Sequence, residues 1–208
     1  MNYLAIDVGG TFIKYAVITD ECAISVKDKT PTRQDSMEIF IDSLVEIYEK
    51  VSSSYELDGV ALSMPGIIDS KRGFMYTGGT LFCISNVNIV EILEQRLHVP
   101  VTVENDAKCA ALAELWKGAV KDCNNAIVVV CGTAVGGAVI CNREIVIYRE
   151  QVRQMVCGTQ HIRRKIQIDE FIAAELRKCV AVVFLFECDV EYRFLDNIEA
   201  QMVAYRDD

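Results

Sequence analysis

The chain has 208 residues, 51% of them hydrophobic and 25% charged, and a formal net charge of -9. This is a globular composition, sufficient for one large domain or two small lobes around an ample core. The acidic balance argues against a general nucleic-acid binder, whose footprint is a basic patch, and gives no support to attachment at an anionic membrane.

The first residues, "MNYLAIDVGG", have no basic region followed by a long apolar segment, so no signal peptide is expected. Leu4 to Val8 and Phe12 to Thr19 are apolar and β-branched, and Gly9-Gly10 joins them as a hairpin. Asp35 to Val51 reads as a helix, because Phe40, Ile41, Leu44, Ile47, Tyr48 and Val51 share one face. "GVALSMPG" reads as a buried strand ended by Pro65-Gly66. A second helix is expected over about Asn88 to Leu97, and "VTVE" after Pro100 as another strand.

"NDAKCAALAELWKG" reads as a third helix. Asn105 or Asp106 can cap it, Gly118 can stop it, and Cys109, Leu112, Ala113 and Trp116 form its apolar stripe. "NNAIVVVCG" and "GGAVICN" then make a second glycine-turned hairpin. Strands mixed with helices point to an α/β layered fold, and two similar hairpins to a duplicated architecture.

Beyond Ile147 the pattern weakens. Arg143 to Lys178 is comparatively basic and Glu187 to Asp208 acidic, with a helix expected over Asp169 to Val180. The longest apolar run, Cys179 to Phe186, is far short of the roughly 20 residues that span a bilayer and reads as a buried strand or core helix. The nine cysteines include no C-x-x-C pair, and only His98 and His161 could assist them, so no zinc site is expected. Cys109, Cys131, Cys141 and Cys179 lie in apolar runs and read as small buried hydrophobes in a reducing cytoplasm.

Three segments could carry chemistry. In "DVGGTFIK" a tight glycine turn can aim backbone N–H groups at an anion; Thr11 adds a hydroxyl, Lys14 a point charge, and Asp7 could hold Mg²⁺ through its waters. The bland alternative is a hairpin with a surface lysine. In "VVVCGTAVGGAVI", Gly132 and Thr133 leave one strand while Gly136 and Gly137 enter the next, a second phosphate-sized turn or an ordinary glycine hairpin. At "VENDAKCAALAEL", Asp106 is either a helix cap or a general base that takes a proton from a substrate hydroxyl, with Asn105 orienting that substrate.

"DVGGTFIK", "SMPGIID", "VENDAKCAALAELWKG" and "GTAVGGAVI", in this order and at about these separations, resemble the ROK family of sugar kinases and related repressors. The resemblance runs from about Asn2 to Asn142. It implies an actin-like, ribonuclease-H-like ATPase fold: an N-terminal lobe over residues 1–118 and a shortened or divergent second lobe over 119–208. It also implies transfer of the ATP γ-phosphoryl to a hexose hydroxyl in the cytoplasm. On that resemblance Asp7, Gly9, Gly10, Thr11 and Lys14 match the first phosphate motif, with Asp7 holding Mg²⁺. Gly132, Thr133, Gly136 and Gly137 match the second, with Ala134 where a glycine is usual. Asp106 falls on the catalytic base, Asn105 on a sugar-binding neighbour, and Gly66 and Gly79 on loops that line the sugar pocket. The family's H-x-x-G-E-x-G-H segment and its C-x-C-G-x-x-G-C zinc loop do not occur; "YREQVRQMVCGTQHIRRK" stands in the place of the first. A catalytically impaired nucleotide- or sugar-binding module is therefore the alternative expectation. A homodimer could cover apolar surface on a shortened second lobe.

Overall fold

A computed structural model describes residues 1–21, 23–131, 135–146 and 181–186, the last as backbone. Its contacts divide the chain into two compact units, one holding Met1–Asp106 and the other beginning at Ala107. The helix expected over Asp169 to Val180 lies outside the described residues, as do Gly132, Thr133 and Ala134.

In the first unit β1 (Asn2–Val8), β2 (Phe12–Thr19) and β3 (Ile24–Pro31) form an antiparallel meander, followed by α1 (Met37–Ser52) and β4 (Gly59–Met64). A small three-stranded sheet comes next, built from β5 (Ile67–Asp69), β6 (Phe74–Thr77) and β7 (Ser85–Asn88). Then come α2 (Ile89–Leu97) and β8 (Val101–Asn105). The main sheet has the order β3-β2-β1-β4-β8, and β4 is parallel to both β1 and β8.

Alternation sets the two faces of this sheet. Leu4, Ile6 and Val8 join Val60, Leu62 and Met64, and Val101 and Val103, in one cluster with Phe40 and Leu44 of α1 and Leu93 of α2. Each such side chain contributes about 1.5–3 kcal/mol when fully buried. The alternate positions carry Ala5, Asp7, Ala61 and Ser63, which are small or polar. Side chains start both helices: Ser36 accepts from the N–H of Ile39 at 3.2 Å, and Asn88 from that of Glu91 at 3.2 Å.

The second unit begins at the second residue of α3 (Asp106–Trp116), which leads to β9 (Ala126–Cys131), β10 (Val135–Cys141), β11 (Glu144–Ile145) and β12 (Ala181–Phe186). Their order is β11-β10-β9-β12, with β12 parallel to β9, so the described part of the long apolar run, Ala181–Phe186, forms a strand. This repeats the β3-β2-β1-β4 arrangement of the first unit: an antiparallel meander joined by a parallel fourth strand.

The stripe expected on α3 is corrected. Cys109 and Ala113 are buried, but Leu112 and Trp116 are only partly so, while Ala107, Ala110, Ala111, Glu114 and Leu115 are buried too. Small side chains admit close neighbours on more than one side, so no single large-residue stripe marks the covered face. The Glu114 carboxylate accepts the N–H of Ala119 at 2.6 Å and closes the turn beyond the helix. No described helix is long and apolar enough to cross a membrane.

Candidate phosphate and sugar site

The site in the first unit grows from strand register. Lys14 lies opposite Asp7, Asp7 beside Ser63, and Ser63 beside Glu104, so one polar row crosses β2, β1, β4 and β8. The parallel strands of this row end together, which is where open α/β sheets bind ligands. Ser63, nearly inaccessible to solvent, donates its Oγ hydrogen to Asp7 Oδ1 at 3.0 Å.

Desolvation pushes the Asp7 carboxyl up to about 6. The hydrogen bond from Ser63 and the charge of Lys14 pull it down, and the carboxylate of Asp106 pushes it up again. Asp7, Lys14 and Asp106 therefore share one electrostatic neighbourhood. Such a carboxylate is suited to a divalent cation, whose charge offsets what burial costs.

The turn between β1 and β2 closes with the N–H of Gly9 donating to Phe12 O at 3.0 Å, leaving Gly10 and Thr11 at its tip. Left-handed φ values occur at Gly66, Gly73 and Gly79, but not at Gly9 or Gly10. The two turn glycines have different reasons for being there. A Cβ on Gly9 would lie 3.0 Å from Phe12 O, a tight internal contact. One on Gly10 would meet only Thr80 Oγ1, at 3.6 Å, and would otherwise project into open space that an anion could fill.

The residues expected to hold sugar also converge. Asn105 Nδ2 donates to Gly66 O at 3.1 Å. Gly66 has φ +108 and Gly79 φ +60, and a Cβ on Gly79 would stand 3.1 Å from Gly66 N. Asp106 follows Asn105 as the exposed first residue of α3.

Gly136 and Gly137 enter the second strand of the hairpin, as expected. Both lie within β10, paired with Val130 and Val129. A Cβ on Gly136 would come 2.8 Å from Ala107 Cβ, and one on Gly137 2.5 Å from Val128 O, so packing also calls for glycine there. Sequence reasoning missed Thr80 beside Gly10, and Ser63 with the polar row to which it belongs. A lone hydroxyl inside the apolar "GVALSM" was the available signal, since a buried hydroxyl needs a partner.

The sequence profile of the ROK family matches residues 3–150. The chain belongs to the ROK family. This ROK chain is 33% identical over 147 residues to the beta-glucoside kinase of Listeria monocytogenes, a match covering 70% of the chain and 49% of that protein. It is 34% identical over 149 residues to the glucokinase of Halalkalibacterium halodurans, covering 69% of the chain and 45% of that protein. The crystal structure of a ROK family glucokinase from Streptomyces griseus, in complex with glucose and AMPPNP, matches with a TM-score of 0.64 at 27% identity. That match covers 72% of the ROK chain and 47% of the other. The fold is thus the actin-like ATPase fold of the ROK sugar kinases, and the chain spans about half the length of the curated relatives it matches.

Proposed function

We propose that this chain transfers the γ-phosphoryl group of ATP to a hydroxyl of a hexose, as a cytoplasmic enzyme that uses Mg²⁺. The observation that carries the reading is the shared electrostatic neighbourhood of Asp7, Lys14 and Asp106 beside the converging Gly66, Gly79 and Asn105. The names of the two relatives, a beta-glucoside kinase and a glucokinase, support a sugar as acceptor.

In this reading the hexose lies against Gly66 and Gly79, with Asn105 orienting it. Its attacking oxygen forms a bond to the γ-phosphorus while the bond to the ADP oxygen breaks. The hydroxyl proton passes to the carboxylate of Asp106. Gly9, Gly10 and Thr11 receive phosphate oxygens, and Lys14 offsets their charge. Asp7 would hold Mg²⁺ through its waters; the ion, when bound, neutralises charge on the β- and γ-phosphates. Residues 1–118 serve as the lobe with the first phosphate motif and the base. Residues 119–208 contribute the second motif, through Gly132, Thr133, Gly136 and Gly137. Positioning and charge stabilisation supply most of the rate.

The test is ADP release from Mg-ATP across a panel of hexoses and N-acetylhexosamines, with Asp106→Asn in parallel. Sugar-dependent release that vanishes in the variant supports the proposal; release that the variant retains removes Asp106 as the base. A second reading, binding of nucleotide or sugar without transfer, is favoured by one observation: the family match ends at residue 150. Sugar or nucleotide binding by folded protein, with no ADP release for any sugar, would select it.

A further inference from the structure

The connection between β3 and α1 reaches back to the first glycine turn. Thr32 Oγ1 donates to Gly9 O at 2.7 Å, the Thr32 N–H to Thr11 O at 2.9 Å, and Gln34 Nε2 to Gly10 O at 3.2 Å. Arg33, between them, turns away to Glu46 of α1, 2.5 Å distant. Two alternate residues thus engage all three carbonyl oxygens of the turn. Among the described residues, none accepts from the N–H groups of Gly10 or Thr11.

A peptide's carbonyl and N–H point in opposite directions. Fixing the carbonyls on the side of Thr32 and Gln34 therefore fixes the N–H groups on the other side. An anion-binding turn works best when its donors need no reorganisation on binding. Nothing in the packing of Gly10 requires this bracing, because its far side is open except for Thr80.

We propose that Thr32 and Gln34 are positioning residues for the phosphate turn: they hold the Gly9–Gly10 and Gly10–Thr11 peptides so that the N–H groups of Gly10 and Thr11 face a polyphosphate. The inference rests on the reading of that turn as the ATP phosphate site.

Calorimetric titration of the full chain with Mg-ATP and, separately, with inorganic tripolyphosphate tests it. Thr32→Val removes the hydroxyl at nearly constant shape, Thr32→Ser keeps it, and Gln34→Ala removes the amide. Thr32→Val and Gln34→Ala should each weaken both ligands by about tenfold, while Thr32→Ser stays within about twofold of the wild type. Exchange of the Gly9 amide, the closing bond of the turn, should accelerate in Thr32→Val and return to normal in Thr32→Ser. Wild-type binding that Thr32→Val and Gln34→Ala share unaltered would overturn the inference alone. So would lowered thermal stability in Thr32→Val at unchanged affinity. A folded wild type that binds neither ligand would overturn the phosphate reading and this inference with it.

Discussion

Asp7 and Lys14 stand opposite each other on β1 and β2, yet burial pushes the Asp7 carboxyl up to about 6, above the ordinary carboxylate range. Burial outweighs the cation. A residue held in this state favours binding over stability, since a metal ion relieves what desolvation costs.

Mg²⁺-dependent nucleotide affinity should therefore rise as pH increases through about 6, where Asp7 becomes a carboxylate. Ser63→Ala removes the hydrogen bond that lowers this pKa, so the midpoint should move to higher pH. Titration of Mg-ATP binding at a series of pH values reads both effects. An unmoved midpoint in Ser63→Ala would remove Ser63 from the control of Asp7.

The same shift makes a stability prediction of opposite appearance. Because the folded-state pKa is raised, the native protein holds this proton more tightly than the unfolded chain. Its contribution is full below the unfolded value near 4 and is lost as pH rises through about 6. Asp7→Asn should accordingly stabilise the ligand-free protein at neutral pH, by up to about 3 kcal/mol, with much less effect at low pH. Urea unfolding at the two pH values measures it. Equal effects at both would contradict the origin assigned to the shift.

Asp106→Asn should lower phosphotransfer by at least about 100-fold and leave nucleotide binding largely intact. It should also move the Asp7 titration to lower pH, because the Asp106 charge helps to raise it. A binding profile unchanged in midpoint would mean that the two carboxylates do not sense each other.

Gly10 and Gly66 should respond to alanine in opposite ways. Gly66 has φ +108, and a Cβ there would collide with Thr77 O and Gly79 N, so Gly66→Ala should lower stability by about 3 kcal/mol. A Cβ on Gly10 makes one ordinary contact, so Gly10→Ala should change stability by less than about 0.5 kcal/mol while weakening ATP and tripolyphosphate. Thermal melts and titrations on the same two variants separate the effects.

β1, β2, β4, α1 and α2 were legible because their apolar patterns are strong, whereas the cap at Ser36 that sets the start of α1 was not read. β3 was not legible: "ISVKDKTP" is mostly exposed and carries charge where an internal strand shows alternation. The short strands β5 to β7 escaped notice because pairing across turns, rather than composition, defines them. At the site, Asp7, Lys14 and Asn105-Asp106 could be singled out from local spacing. Ser63, Thr32 and Gln34 could not, since their partners lie 56, 23 and 24 positions away. Gly136 and Gly137 could be placed at the entrance to β10 from their sequence, but the close approach of Ala107 and Val128 to them could not.

β3 has a further consequence, for self-association. It forms one edge of the five-stranded sheet, and Lys27, Asp28 and Lys29 lie in succession along it. Asp28 is engaged by Lys50 at 2.9 Å, and Lys29 lies over the Phe12 ring at 4.8 Å. A foreign strand adding to this edge would meet charge on both of its faces, a common natural defence against sheet-to-sheet aggregation. Copies of this chain that associate should therefore do so without extending the sheet at β3.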